Sequence, residues 1–301
     1  MRSLIVGAAI VDVIMRIPQL PTKGGDIYCD EKIVTVGGCA YNIANILKNF
    51  GVDYHLFVPV GEGMNATLIR EAMHNDGHEI LISEINQDNG QCICLVEDDG
   101  ERTFITQVGL EGHFKSNWFD QLDMKQYTTI YIDGYQLCND SASVIVNWLE
   151  KNRDKEIYFA PGPLIKQIDC ILIERVFQAQ PILHLNELEA KSFTNEKDIH
   201  KAVKKLFSMT NYYIIITLGS EGSIFFDGTN LFQIKGERVE VVDTFGAGDS
   251  HIASIIAAGS LGFNFIDSCK IANKVAAKIV QTKGPKMKKE DFDKQSFISI
   301  E

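Results

Sequence analysis

Short apolar runs alternate with amphipathic stretches along most of this chain, and that alternation narrows its fold more than any other feature. Residues 4–6, 55–60, 130–132, 157–159, 182–185 and 213–217 are apolar runs bounded by Gly, Pro or polar residues, as buried strands are. Between them Ile43, Ile46, Leu47 and Phe50 recur at helical spacing, as do Ile199, Val203, Leu206 and Phe207, and then Ile252, Ile255, Ile256 and Gly259. Strands separated by helices predict an α/β fold with a mostly parallel sheet covered on both faces. Two stretches break the rhythm. Residues 10–36 are polar and punctuated by Pro18, Pro21, Gly24 and Gly25, and residues 91–107 read as two strands joined by an Asp98-Asp99-Gly100 turn. They predict a small second sheet, too small to be stable alone, packed on the core, a ligand or another subunit.

The balance of charge limits the partners. Forty acidic against 29 basic residues give a net charge of -11, which makes nucleic acid an unsuitable primary partner because phosphate-backbone binding draws on Lys and Arg. Small phosphorylated ligands remain compatible, since backbone N–H groups can hold them. The seven cysteines are scattered and contain no C-x-x-C pair, so reduced structural thiols are expected rather than a disulfide framework or zinc ribbon. The first residues lack the length of a signal peptide, and the apolar stretch 252–266 is broken by Ser, Gly and Asn, short of a membrane span. A cytoplasmic protein is the expectation, with the lysine-rich residues 283–289 as a solvated loop.

The most informative stretch runs Val241-Val242-Asp243-Thr244-Phe245-Gly246-Ala247-Gly248-Asp249-Ser250. It reads as an apolar strand, a Gly-Ala-Gly turn and the start of a helix. Glycines let backbone N–H groups converge on a ligand, and the helix start adds about half a positive charge. Asp249 in that first turn fits two roles: a dipole-favoured helix-start residue, or a base beside an anion hole, arranged to move a negatively charged group onto a hydroxyl. The surrounding glycines favour the second. A dinucleotide fingerprint fails here, because the third small residue is His251 and too little chain follows. No G-x-x-x-x-G-K-[ST] phosphate loop occurs. Earlier, Gly37 and Gly38 lead into a helix carrying Asn42, whose amide both donates and accepts, as recognition of a polyol requires.

Gly37-Gly38-x-x-x-Asn42-x-Ala44 and Asp243-Thr244-x-Gly246-Ala247-Gly248-Asp249 resemble the two motifs of the ribokinase-like (PfkB-type) carbohydrate kinases. Val60-Gly61, Asp99-Gly100-Glu101-Arg102-Thr103, Asn186-Glu187-Leu188-Glu189 and the residues from Thr217 to Gly222 extend the resemblance over essentially the whole chain. It implies a doubly wound α/β domain (1–9, 37–90 and 108–301) with a β-sheet lid (10–36 and 91–107). It also implies an ATP-dependent kinase that transfers the γ-phosphoryl group to a hydroxyl of a sugar or similar small polyol. Asp249 would be the base, and the amides of Gly246, Ala247 and Gly248 the anion hole. Asn186 and Glu189 would act on the phosphates and on Mg²⁺, Glu189 through water. Thr217, Gly219 and Gly222 would line the nucleotide, with Asn273 near the adenine. Asp12, Gly37, Gly38 and Asn42 would hold the sugar, the Asp12 carboxylate accepting from adjacent hydroxyls. The motifs leave a K⁺ requirement open. A homodimer is expected, with the lid sheets of two copies covering each other.

Several departures from the family pattern bear on the substrate. Cys39 stands where many ribose-specific members carry Lys, residues 132–135 lack a Glu that some members use on the sugar, and Gly63 and Ala66 replace the Asp and last Gly of a V-G-x-D-x-x-G element. Two alternatives therefore stand beside the sugar kinase. One is a nucleoside kinase, with Tyr41 and Tyr28 facing a base, and the other a non-catalytic ligand-binding protein on the same scaffold. His74 and His78 read as a solvated pair at a frayed helix end, His251 as a packed histidine, and Cys92 with Cys94 as lid packing.

Overall fold

The structure is a computed structural model that describes residues 2–284 and 286–300. Its strands are β1 (Arg2–Val6), β2 (Ile10–Arg16), β3 (Glu31–Gly37), β4 (Asp53–Phe57), β5 (Pro59–Val60), β6 (Ile82–Ser83), β7 (Gln91–Val96), β8 (Arg102–Gln107), β9 (Tyr127–Asp133), β10 (Glu156–Ala160), β11 (Ile182–Asn186), β12 (Ile214–Thr217), β13 (Gly222–Phe226) and β14 (Leu231–Lys235). Eight of them form one sheet in the order β14-β13-β12-β11-β10-β9-β1-β4. The pairings from β4 through β12 are parallel, and β13 and β14 close one edge as antiparallel strands.

Side-chain alternation divides the core between the two faces of this sheet. Ile5, Tyr131, Tyr158 and Ile215 face the helices Cys39–Phe50, Ala247–Ser260 and Phe265–Ile279. Leu4, Val6, Ile130, Ile132, Ile157 and Phe159 face Ala142–Glu150, Cys170–Gln178 and Ile199–Thr210. The chain leaves β1 toward β4 on one side and resumes at β9 on the other. A crevice therefore opens at the carboxyl ends of β1 and β9, the place where such sheets bind ligands.

The second sheet has the order β3-β2-β7-β8, with β2 and β7 parallel and the outer pairs antiparallel. Its inner face, carrying Asp12, Ile14, Cys92 and Cys94, turns toward the crevice. Arg102 on β8 ties it to the main body through Asp243 at 2.5 Å. Residues 241 and 242, expected to end a strand, are instead an exposed extended segment: the N–H groups of Val242 and Asp243 both donate to the carbonyl of Val280 rather than to a strand neighbour.

The lysine-rich stretch also departs from expectation. Lys286 is half-buried against Tyr41, while Pro285 lies outside the described residues. His78 is buried rather than solvated, held by Tyr54 and Asn45, and His74 alone is exposed.

Gly38 governs how the Cys39–Phe50 helix meets the crevice. Its φ of 102° is a left-handed value, and a side-chain carbon there would lie 2.5 Å from the Ala8 carbonyl oxygen. Gly38→Ala should therefore lower stability by at least ~1–2 kcal/mol, the cost of forcing an L side chain into that region. Urea denaturation checks this, and a midpoint equal to wild type would contradict it.

Candidate active site

Residues Gly7, Asp133, Asn186 and Thr217 sit at the carboxyl ends of β1, β9, β11 and β12, along one rim of the sheet. Across that rim the helix Ala247–Ser260 begins at Gly246, which caps it in a left-handed conformation (φ 77°) with no side-chain cap. The first intrahelical bond runs from Ser250 N–H to Gly246 C=O at 2.8 Å. The N–H groups of Gly248 and Asp249 thus have no partner in the helix, as helix starts require. A side chain on Gly248 would meet nothing within 4 Å, and Ala247 and Gly248 border an open cavity. Such a turn can hold an anion.

On the other side of Asp249 the groups are acceptors. Asn42 Nδ2 donates to Asp249 Oδ2 at 2.8 Å. That leaves Asn42 Oδ1 buried without a donor, and Asp12 Oδ2 is buried without one as well. Both lie at Gly37, where a side-chain carbon would overlap Asp12 Oδ2 and stand 3.9 Å from Asn42 Oδ1. Two orphaned acceptors at one spot are costly unless a ligand supplies O–H or N–H groups. The Gly37-Gly38 pair, Asn42, Asp12 and Asp249 are therefore one cluster.

Burial, reinforced by the Asp249 charge, raises the Asp12 carboxyl to about 7. Asp133, which accepts from the N–H groups of Tyr135 and Gln136, is raised to about 7 by the same two causes. Asp249 is raised by burial, with Asn42 and the neighbouring Cys39 thiol opposing the shift.

A cavity of about 740 Å³ lies on the amide side of the turn. Its walls bring together Asn186, Thr217, Gly219, Gly222, Ala247, Gly248 and Asn273. Glu189 stands behind them: its Oε2 accepts from Asn186 N–H at 2.9 Å and its own N–H donates to Asn186 Oδ1 at 2.8 Å, a reciprocal helix cap. The amide of Asn273 is engaged too. Its Oδ1 lies 3.0 Å from His251 Nε2, and its Nδ2 donates to the carbonyls of Ile234 and Lys235. His251 is buried, as expected of a packed histidine, and continues to His184 at 2.9 Å; burial lowers both rings, so they are neutral at pH 7.

A match to the pfkB family carbohydrate kinase pattern extends over residues 2–291. The chain belongs to the pfkB family of carbohydrate kinases. A relative from Escherichia coli (strain K12), the uncharacterized sugar kinase YegV, is 35% identical over 285 residues, covering 93% of this chain and 89% of its own length. The crystal structure of ribokinase from Thermotoga maritima shares the fold, with a TM-score of 0.82 at 19% identity over 99% of each chain. So does Arabidopsis thaliana ribokinase complexed with ribose and ATP, with a TM-score of 0.78 at 19% identity over 100% of this chain and 99% of that one. As a pfkB-family kinase the protein is a phosphotransferase with an alcohol acceptor, of a family that uses ATP, and this sets aside a non-catalytic binding protein.

The two tyrosines that the nucleoside-kinase alternative sets against a base lie in opposite surroundings. Tyr41 is fully buried, its hydroxyl donating to Asp76, with Lys286 Nζ 4.1 Å from its ring centroid; Tyr28 is 91% exposed. Apolar neighbours on a helical stripe drew Tyr41 into the core, and that stripe was visible in the sequence. Sequence reading passed over Asp133 and Lys286. An Asp ending the apolar run 130–132 was a usable signal, since the carboxyl end of a parallel strand is where ligands bind. No local signal marked Lys286. Among the described residues no helix is long and apolar enough to cross a membrane.

Asp12 binds its proton more tightly when folded than at its ordinary value of 3.8, so its contribution to stability is full below about pH 3.8 and is lost as the pH rises to about 7. Asp12→Asn should gain stability relative to wild type between pH 4 and 7, with no further gain above. Ligand-free urea denaturation at a series of pH values checks it; an unchanged pH slope would contradict it.

Proposed function

We propose that the protein phosphorylates a hydroxyl of a sugar or similar small polyol with ATP, using Asp249 as base and the Gly246–Gly248 turn as anion hole. The observation that carries the reading is the pair of orphaned acceptors, Asp12 Oδ2 and Asn42 Oδ1, beside Asp249. A polyol supplies the hydroxyl donors they lack. Asp12, Gly37, Gly38 and Asn42 then hold the acceptor. ATP takes the 740 Å³ cavity between Thr217, Gly219 and Gly222 on one side and Asn273 on the other, its γ-phosphate at the free amides.

Asp249 removes the hydroxyl proton as the oxygen attacks the γ-phosphorus; the bond to the β-phosphate oxygen breaks, and ADP leaves. Raised by burial, the carboxylate of Asp249 is a stronger proton acceptor than an ordinary aspartate. The amides meet charge on the three equatorial oxygens as it moves. Among the described residues the nucleotide cavity carries Glu187 and Glu237 but no Lys or Arg, so the triphosphate calls for a bound cation. Among the described residues no cluster of three or more metal-ligating side chains occurs. Mg²⁺ bound by the phosphates would supply that charge, with Asn186 and the Glu189 oxygen left over from the helix cap acting on its water shell.

Residues 10–36 and 91–107 act in this reading as a lid that excludes water from the phosphoryl group. Its outer face carries a cross-strand row of Val34, Val13, Ile93 and Ile105, of which Val34 is 48% and Ile105 57% exposed. We assign that row to a second copy of the chain, forming a homodimer. All seven cysteines are free thiols, which suits the reducing cytoplasm we assign to the protein.

Asp249→Asn should lower kcat by ~10²–10⁴ with ATP affinity kept. An ADP-release assay with Mg²⁺-ATP across sugars, sugar phosphates, sugar acids and nucleosides checks this, and near-wild-type turnover would sink the mechanism. Sedimentation at micromolar concentration should give a dimer for wild type and a monomer for Val34→Asp combined with Ile105→Asp. A monomeric wild type would overturn the lid interface.

A further inference from the structure

A second cavity, of about 170 Å³, lies between the inner face of the small sheet and the stretch around Asp243. Arg16, Arg102, Lys283 and Lys286 line it, against a single acid, Asp243. A surplus of three positive charges in one cavity runs against the grain of a chain with a net charge of -11. The nucleotide cavity has the opposite character, with two glutamates and no cation in its walls.

The cationic cavity adjoins the place where the acceptor is held. Asp12, Ile14 and Arg16 alternate along β2 and share its inner face, so the cavity, lined from Ile14 to Arg16, lies next along the strand from Asp12, with Arg16 ~13 Å away at the usual rise per residue. Lys286 is near enough to Asp12 for each charge to favour the other. Its ammonium is held in place 3.3 Å from Asp76 Oδ2 and over the Tyr41 ring. Arg16 pairs with Glu31 at 3.1 Å, but both side chains are about half exposed, a pairing that an incoming anion can readily replace. A neutral polyol offers these cations no charged partner beyond Glu31, Asp243 and Asp76, whereas an anionic substituent would add one.

We propose that the acceptor carries an anionic group, a phosphate or a carboxylate, which occupies this cavity against Lys286, Arg16 and their neighbours while the reacting hydroxyl lies at Asp249. The proposal rests on the reading that Asp12, Asn42 and Asp249 hold the acceptor, and it makes Lys286 and Arg16 specificity residues.

Matched sets test it: a neutral sugar, its terminal phosphate ester and its sugar acid, compared by ADP release and by calorimetric binding without nucleotide. The charged members should exceed their neutral parent by ~10²-fold in kcat/KM for at least one set, and their KM should rise with NaCl. Lys286→Met and, separately, Arg16→Met should raise KM for the charged acceptor ~10-fold while KM for ATP stays at its wild-type value. The phosphate and acid arms distinguish the two anions. Neutral parents used as well as their charged partners, in reactions that still need Asp249, would overturn the proposal and leave the kinase reading intact. A rise in KM for ATP alone would also overturn it, because the cations would then serve the nucleotide. If nothing in the panel turns over, calorimetry still decides: tighter binding of charged members supports the cavity, and equal or weaker binding overturns it.

Discussion

Three carboxyl groups, from Asp12, Asp133 and Asp249, crowd the carboxyl ends of β1 and β9, where burial and mutual repulsion oppose their ionisation. Much of the surrounding structure serves to hold them there. Gly7 and Gly37 leave out the side chains that would collide with Asp133 and Asp12. The N–H groups of Tyr135 and Gln136 satisfy one oxygen of Asp133, and the Asn42 amide satisfies one of Asp249. Asp12 is left with a buried oxygen unpaired. That residual cost is of the kind a functional site retains, because a ligand can remove it.

The two cavities flanking this centre differ in charge. On the helix-start side, main-chain amides border a cavity whose described lining includes Glu187 and Glu237 and neither Lys nor Arg. On the small-sheet side, arginine and lysine side chains supply the positive charge. Arg102 sits at the boundary. It pairs with Asp243 at 2.5 Å and donates to Thr244 Oγ1 at 3.3 Å, so the small sheet is fastened at the turn that leads into the Ala247–Ser260 helix. The buried chain His184–His251–Asn273 braces the same helix from behind, fixing it to β11 and to the carbonyls of β14. Rigid support of this kind keeps Asp249 and the amides in register.

The layered α/β order and both glycine motifs were legible in the sequence because each depends on local chemistry: apolar periodicity sets strands and helices, and glycine marks where backbone must turn or approach closely. The Gly246–Asp249 turn and the Gly37–Asn42 helix start could be assigned to their elements for that reason. The residues Val241 and Val242 looked like a strand by composition, yet among the described residues they pair with no strand, and the N–H groups of Val242 and Asp243 bond to Val280 instead. His78 and Lys286 looked solvated in their own segments. Partners from distant segments, Tyr54 and Asn45 for one and Asp76 and Tyr41 for the other, drew them inward.

The sequence by itself determined which pieces form and which residues carry chemistry, since helix starts, glycine turns and buried strands are decided within a few residues. Only the tertiary structure decided that Asp12 and Asn42, 30 positions apart, meet at Gly37 beside Asp249, that a third carboxylate joins them, and that cations gather in a cavity further along the small sheet. The reason is that desolvation and charge coupling depend on distance through space, which the spacing of residues along a chain does not encode.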